Sequence, residues 1–229
     1  MPAWLTSRNA AAAALAALLL TFAAVPATAA STPQELVDNA RYTVEKLLRN
    51  PETKPFAGLL RKAQAVLIVP SLIKAGFLVG GEGGSGVLLA RDRQGRWSDP
   101  AFYDIGAGSI GLQIGFQDSE VAFLIMSRRT LDAMLDAKLK LGADASIAAG
   151  PFGVGYEGAT AVNLRADIFS YALSRGAFFG ASFEGSIAVE DRDRNRAYYG
   201  PGATARAIVI ERKFTNPGSA GLIRALNAP

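Results

Sequence analysis

The sequence contains no cysteine and no histidine among its 229 residues, and these two absences exclude several kinds of chemistry. Without cysteine the chain has no disulfide, no thiol nucleophile, no thiolate metal ligand and no residue to carry the lipid of a bacterial lipoprotein. Without histidine it has neither a Ser-His-Asp triad nor a histidine zinc site. A general base would have to be a carboxylate, a lysine or a tyrosine, and we expect no cofactor and no metal.

Neither positive nor negative charge predominates strongly in the sequence. The net charge is +4 and no block of five like charges occurs, so the sequence gives no indication of nucleic-acid binding. Half of the residues are apolar, which is enough to bury a sizeable core in one domain. Glycine, in contrast, is abundant: there are 24, most of them between residues 76 and 200.

The first thirty residues have the three-part layout of a secretory signal peptide. A single charge at Arg8 precedes an apolar run over residues 10–25, Pro26 ends that run, and small residues follow it. The run is shorter than the roughly 20 residues that span a bilayer, which argues against the alternative of a retained anchor. We therefore expect residues 1–30 to be cleaved and residues 31–229 to form one domain. The mature protein would be periplasmic or secreted, and peripherally attached to a membrane.

A helical head follows the leader. Residues 32–35 have the form of a capping box with proline in the first turn. Apolar residues then recur on one helical face up to Leu48, Asn50-Pro51 ends the helix, and a short second helix can hold residues 56–60. An amphipathic helix with basic flanks suits the headgroup region of an anionic membrane, and it equally suits packing of the apolar stripe on a sheet. The candidate lipid-binding residues are Arg41, Lys46, Arg49, Lys54, Arg61, Lys62 and Lys74.

The hydrophobic period changes from helical to strand-like at Ala65. Residues 65–69 predict a buried strand closed by Pro70, and a long hairpin is predicted to turn at residues 117–119. Two further strands, 76–80 and 86–91, are predicted around a glycine-rich connection. Further strands are predicted near residues 143–149, 154–157, 168–174 and 178–190. The sequence also predicts a central helix over 130–139, a charged loop over 191–195, and terminal helices over 203–209 and 219–226. The predicted fold class is α+β: a glycine-rich, mainly antiparallel sheet that could close into a barrel, flanked by N- and C-terminal helices.

Three motifs resemble active-site sequences. The pattern G-x-G-x-x-G begins at Gly81, Gly106 and Gly153, but strand-like sequence follows each one, whereas a dinucleotide site needs a helix there. Glycines in closely packed or bent strands explain the pattern better. The pair Ser71-x-x-Lys74 lacks the companion motifs of serine–lysine enzymes. Residues 191–195 begin like a calcium loop, but the required glycine and the final glutamate are missing.

Ordered blocks along most of the chain resemble the SYLF domain family. They lie at residues 65–70, 74–81, 84–91, 97–100, 108–115, 141–146, 150–153, 171–176, 180–186 and 198–200. The resemblance implies phospholipid binding. Eukaryotic relatives are adaptors in membrane traffic that bind phosphoinositides, and some bind actin filaments, whereas bacterial relatives are exported, often as lipoproteins. This chain has a leader but no lipidation cysteine, and no SH3 or FYVE module, so actin and cytosolic phosphoinositides are not expected as its partners after export.

The leading functional prediction is non-enzymatic binding of anionic phospholipid at the bacterial cell envelope, through the basic amphipathic head and the SYLF-like body. No catalytic residue, no nucleic acid and no particular protein partner is predicted. Two alternatives remain open. A structural envelope protein would bind another protein through residues 178–179 and 198–199. A hydrolase would need two groups to converge with perturbed pKa from the set Asp104, Asp144, Glu157, Asp167, Glu184 and Lys74.

Overall fold

The computed structural model describes residues 31–77, 79–110, 115–136, 138–150, 166–175, 183 and 185–229. Residues 32–229 form one compact unit. The predicted leader, residues 1–30, lies outside the described residues, so its cleavage stays a prediction.

The described residues form six α-helices and eight β-strands. The helices are α1 (Pro33–Arg49), α2 (Pro55–Lys62), α3 (Arg128–Asp136), α4 (Arg192–Tyr199), α5 (Ala205–Val209) and α6 (Ala220–Leu226), with short 3-10 turns at Pro51–Thr53 and Pro217–Ser219. The strands are β1 (Ala65–Phe77), β2 (Val79–Ala90), β3 (Ala101–Ile110), β4 (Gly115–Ile125), β5 (Leu139–Lys140), β6 (Ile147–Ala149), β7 (Ile168–Arg175) and β8 (Ile187–Glu190).

All eight strands belong to one sheet, in the order β5-β8-β3-β2-β1-β4-β7-β6. Neighbouring strands are antiparallel except for β6 and β7, which run parallel. The sheet curls into a half-barrel. It is not closed, because within the described chain its two edge strands, β5 and β6, do not pair with each other. The predicted α+β class, with a mainly antiparallel glycine-rich sheet and helices from both ends of the chain, is confirmed.

Helices cover both faces of the sheet and enclose two hydrophobic cores. Leu67 and Val69 of β1 point to one face, where they join residues of α3 and α5. Val66 and Ile68, which alternate with them, point to the other face, where they join residues of α1, α2 and α6. Residues 65–69 are therefore buried on both sides, as their continuous apolar run predicts.

The sequence predicts that the first strand ends at Pro70, and this prediction was wrong. β1 continues to Phe77, and its pairing shifts register between Ile68 and Ile73 on one side and between Val69 and Leu72 on the other. Proline has no N–H to give to a ladder, and a bulge is one of the few strand positions that tolerates it. The bulge also places Val69 and Leu72 in the same core, although regular alternation would put them on opposite faces.

The predicted glycine-rich connection is also part of a strand, since β2 is continuous over these residues. A Cβ on Gly86 would collide with the Ile68 carbonyl and would lie 2.9 Å from Val69 Cγ2, so glycine lets the two strands approach at the bulge. The strand interpretation of G-x-G-x-x-G is confirmed at Gly81 and Gly106, which lie in β2 and β3. The third motif, which begins at Gly153, lies outside the described residues.

Two local predictions were wrong because polar residues were interpreted as turns. Residues 117–119 lie inside β4, and β3 and β4 do not form a hairpin because β2 and β1 lie between them. There the Asp118 carboxylate accepts a hydrogen bond of 2.8 Å from Ser71 Oγ. The charged loop predicted at 191–195 is mostly helix α4. The Asp191 side chain caps this helix by accepting a hydrogen bond from Arg194 N. The central and terminal helices are confirmed as α3, α5 and α6.

Candidate functional site

Helix α1 begins at the predicted capping box. Thr32 Oγ1 accepts a hydrogen bond of 3.2 Å from Glu35 N, and Glu35 Oε2 accepts one of 2.8 Å from Thr32 N. The apolar stripe of the helix is buried on the sheet, not exposed, and consists of Leu36, Val37, Ala40, Val44 and Leu47. Of the two interpretations that the sequence left open for this stripe, packing on the sheet is the one observed.

The three candidate cations on α1 form ion pairs. Arg41 Nη1 lies 2.9 Å from Glu45, and Lys46 Nζ lies 2.5 Å from Glu120 of β4. Arg49 lies 3.6 Å from the other oxygen of Glu45, but its side chain is 81% exposed. Arg49 therefore presents most of its guanidinium group to solvent.

Three more candidates, Lys54, Arg61 and Lys62, are exposed, and the described part of the chain gives them no ion pair. Arg61 and Lys62 lie in the last turn of α2, as Arg49 does in α1, where positive charge also offsets the helix dipole. We call Arg49, Lys54, Arg61 and Lys62 the basic surface. Arg49, Arg61 and Lys62 lie on helices α1 and α2, which pack on the same sheet face, and Lys54 immediately precedes α2.

The remaining candidate, Lys74, lies apart from the basic surface. Its Nζ is 2.6 Å from Glu82 Oε2 and 5.0 Å from the ring centre of Phe183. Phe183 belongs to the core that α3 and α5 cover, so Lys74 points away from the face that carries α1 and α2. Glu82 also accepts a hydrogen bond from the buried hydroxyl of Ser186. The role of Glu82 was not predicted from the sequence, although Lys74 and Glu82 are the single charged residues of β1 and β2.

A surface groove of about 510 Å³ separates α1 from α6. Its cations are Arg41, Arg49 and Arg224, and Glu45 is its one carboxylate. The remaining lining residues are Leu48, Gly221, Ala225 and Ala228. Arg224 was not predicted from the sequence because it is far from the helical head in the chain. Its one distinguishing feature is that α6 contains no other charged residue.

Among the described residues, each candidate carboxylate of the hydrolase alternative has its own separate hydrogen-bond partner. Asp104 accepts a hydrogen bond of 2.7 Å from Ser85 Oγ, and Asp144 accepts one of 2.8 Å from Lys140 N. Asp167 accepts from Ser146, and these hydrogen bonds hold the pKa of its carboxyl below the ordinary value. The other two candidates, Glu157 and Glu184, lie outside the described residues.

The remaining active-site motifs also have structural roles. Ser71 donates to Asp118 and Lys74 pairs with Glu82, so the Ser71-x-x-Lys74 pattern does not form a serine–lysine pair. Where side chains are described, no group of three or more acidic residues is placed to hold a metal ion. In the same part of the chain, no helix is both long and apolar enough to cross a membrane.

The aromatic pair at 198–199 packs within the fold. The Tyr198 hydroxyl donates to Gln34 at 2.9 Å, and that of Tyr199 donates to the Pro100 carbonyl at 2.7 Å. Burial, together with the nearby carboxylates of Asp99 and Asp38, raises the pKa of Tyr198 to about 12. Both side chains are only partly exposed, and the companion pair at 178–179 lies outside the described residues.

The described residues thus form a half-barrel sheet with helices on both faces, and a groove lined by arginines lies between two helices of one face. A sequence profile of the family described as Ysc84, Las17-binding protein actin regulator, matches residues 106–229. The chain belongs to this Ysc84/SYLF family.

The similar proteins include vertebrate and yeast relatives. SH3 domain-containing YSC84-like protein 1 of Homo sapiens is 35% identical over 177 residues, which is 76% of this chain and 52% of the relative. The Xenopus laevis protein of the same name is 39% identical over 62% of this chain and 42% of its own length. LAS seventeen-binding protein 3 of Saccharomyces cerevisiae is 32% identical over 74% of this chain and 38% of its own length. The chain thus spans about half or less of these relatives.

Proposed function

We propose that this chain binds anionic phospholipid at the surface of the bacterial cell envelope, without enzymatic activity, as a periplasmic or secreted protein attached peripherally to the membrane. One observation carries the proposal: Lys54, Arg61 and Lys62 are exposed and without an ion pair in the described structure, and Arg49, at the end of the preceding helix α1, is largely exposed. Each basic residue held near an anionic bilayer raises membrane affinity about fivefold. We propose that these four residues together give reversible attachment.

The burial of the apolar stripe defines the mode of attachment. Leu36, Val37 and Leu47 are almost fully buried. Inserting α1 into a bilayer would therefore first require the helix to leave the core that it shares with α2 and α6. Electrostatic contact needs no such step, since the basic surface is already exposed. We therefore propose that α1 stays packed on the sheet when the protein binds lipid, and that binding depends strongly on salt.

Vesicle flotation tests this function. The full chain is expressed and purified after any processing of its leader by the host. It is then mixed with three kinds of vesicle: phosphatidylcholine alone, phosphatidylcholine with phosphatidylglycerol, and phosphatidylcholine with cardiolipin. We expect flotation only with the anionic lipids, and weaker flotation at about 0.1 M salt, where the Debye length shortens to about 10 Å. Absence of flotation with both anionic lipids at low salt would overturn the proposal. Equal flotation with phosphatidylcholine alone would exclude the electrostatic mode.

A second candidate function, binding of a partner related to actin, is favoured by the family description, which names an actin regulator. An exported protein would not meet actin, so this candidate depends on the leader being absent or unused. Cosedimentation with actin filaments, run beside the flotation assay at the same salt, separates the two. We expect the protein to float with anionic vesicles and to stay in the supernatant when actin filaments are pelleted.

A further inference from the structure

We propose that the groove between α1 and α6 is the phosphate site for a single phospholipid headgroup. This inference rests on the proposed function and adds a specific site to it. The basic surface would attract an anionic membrane in general, whereas the groove would hold one lipid. Nothing in the sequence pattern of the helical head points to α6, so the assignment depends on the placement of Arg224 across from Arg41 and Arg49.

The charges of the groove favour an anion. Three arginines and one glutamate line the groove, which gives the lining a net charge of +2. Glu45 lies one turn from both Arg41 and Arg49, at 2.9 and 3.6 Å, so it orients two guanidinium groups while it can neutralise only one charge. Arg224 is exposed, and no ion pair is seen for it in the described chain. Guanidinium groups bind phosphate with two parallel hydrogen bonds, and this geometry suits them better than lysine to a defined phosphate site.

The shape of the groove depends on glycine. A Cβ on Gly221 would lie 3.1 Å from Arg41 Cδ, so the absent side chain lets Arg41 rest against α6. Arg224 lies one turn further along α6 than Gly221, on the same side of that helix. The two helices therefore present arginines to the groove from both walls.

The apolar part of the lining distinguishes a lipid from free phosphate. Leu48, Ala225 and Ala228 lie beside the arginines, and a free inorganic phosphate would gain nothing from them. A phospholipid carries glycerol and acyl carbons next to its phosphate, and these carbons can cover the apolar lining. Arg49 belongs both to the groove and to the basic surface, so a lipid in a bound membrane lies close to the site.

The decisive variant is Arg224→Gln, with Arg93→Gln as its control. Both arginines are exposed and have no ion pair among the described side chains, and Arg93 does not line the groove. In flotation with phosphatidylglycerol vesicles we expect Arg224→Gln to weaken binding about fivefold and Arg93→Gln to leave it nearly unchanged. Equal losses in the two variants, or no loss in either, would overturn the groove site while the proposed function stands. If the unmodified protein does not float, it is the proposed function that fails.

A soluble probe then separates a lipid site from a phosphate site. Short-chain phosphatidylglycerol, kept below its micelle concentration, and inorganic phosphate are titrated separately into the purified protein by calorimetry. We expect saturable binding of the short-chain lipid that weakens about fivefold in Arg224→Gln, with phosphate binding much more weakly. Binding of phosphate as tight as that of the lipid would overturn the lipid assignment, and absence of saturable lipid binding would overturn the site. Matching melting temperatures for the two variants would show that Arg224→Gln leaves the fold intact.

Discussion

The Nζ of Lys74 lies 2.6 Å from the carboxylate of Glu82, and the two residues face each other in register across β1 and β2. Glu82 also accepts a hydrogen bond from Ser186, which immediately precedes β8. In the sheet β3 lies between β2 and β8, and the residue of β3 paired with Glu82 is the small Ala107. The Glu82 side chain therefore reaches past β3 and links Ser186, next to β8, to Lys74 of β1.

Breaking this pair should cost stability and leave vesicle binding unchanged. Removing one partner of a buried ion pair costs about 3–5 kcal/mol, and we expect less, roughly 2 kcal/mol, for Lys74→Met because its side chain is 27% exposed. The double variant Lys74→Met with Glu82→Gln should lose less than the sum of the single variants, since no unpaired carboxylate is left. Urea unfolding measures both effects. A loss of flotation at unchanged stability would instead place Lys74 in the lipid site.

This sequence predicts where the first strand lies, but it does not predict which strands pair with it. Residues 65–69 predict a strand because a run of large apolar side chains is buried wherever the strand is placed. The partners of that strand depend on contacts between distant residues, such as Lys74 with Glu82 and Asp118 with Ser71, and local patterns carry no information about them. The hairpin predicted at 117–119 was wrong for this reason. Polar residues were interpreted as a turn, whereas their hydrogen bonds are satisfied by neighbouring strands.

Glycine at position 86 should be far less replaceable than glycine at position 108. A Cβ on Gly86 meets the Ile68 carbonyl and the Val69 side chain, so Gly86→Ala must push β1 and β2 apart at the bulge. Overpacking of this kind costs about 1–3 kcal/mol. A Cβ on Gly108 meets nothing within 4 Å, so Gly108→Ala should be neutral or slightly stabilising. Thermal unfolding of the two variants provides the comparison, and an equal loss in both would contradict close strand approach as the reason for Gly86.

The candidate site was predicted in part. The capping box and the helical period are local features, so the sequence places Arg41 and Arg49 correctly on α1. The packing of α6 against α1 is a tertiary contact between the two ends of the domain, and it alone brings Arg224 to the groove. The burial of the apolar stripe also follows from tertiary structure, because the same period suits a membrane surface and a sheet.

Asp167 should make the stability of the fold depend on pH in the acid range. Hydrogen bonds from Ser146 lower the pKa of Asp167 in the folded state relative to its ordinary value near 3.8. Its contribution to stability is therefore complete above that value, and it is lost as the pH falls through the lower folded pKa. We expect Asp167→Asn to be less stable than the unmodified protein at pH 7, with a gap that shrinks below about pH 4. Urea unfolding at both pH values is the measurement, and a gap independent of pH would contradict this role.

Arg49→Gln and Arg129→Gln form a matched pair that tests whether position, and not charge alone, governs membrane binding. Their side chains are 81% and 79% exposed, and each lies 3.6 Å from one carboxylate, that of Glu45 or Asp167. Arg129 lies on α3, which packs on the sheet face opposite α1 and α2. We expect Arg49→Gln to reduce flotation with phosphatidylglycerol vesicles about fivefold, since it removes a cation shared by the basic surface and the groove. Arg129→Gln should float like the unmodified protein, because it removes the same charge from the other face. Equal losses would mean that the membrane responds to the net charge of the domain and not to the surface formed by α1 and α2.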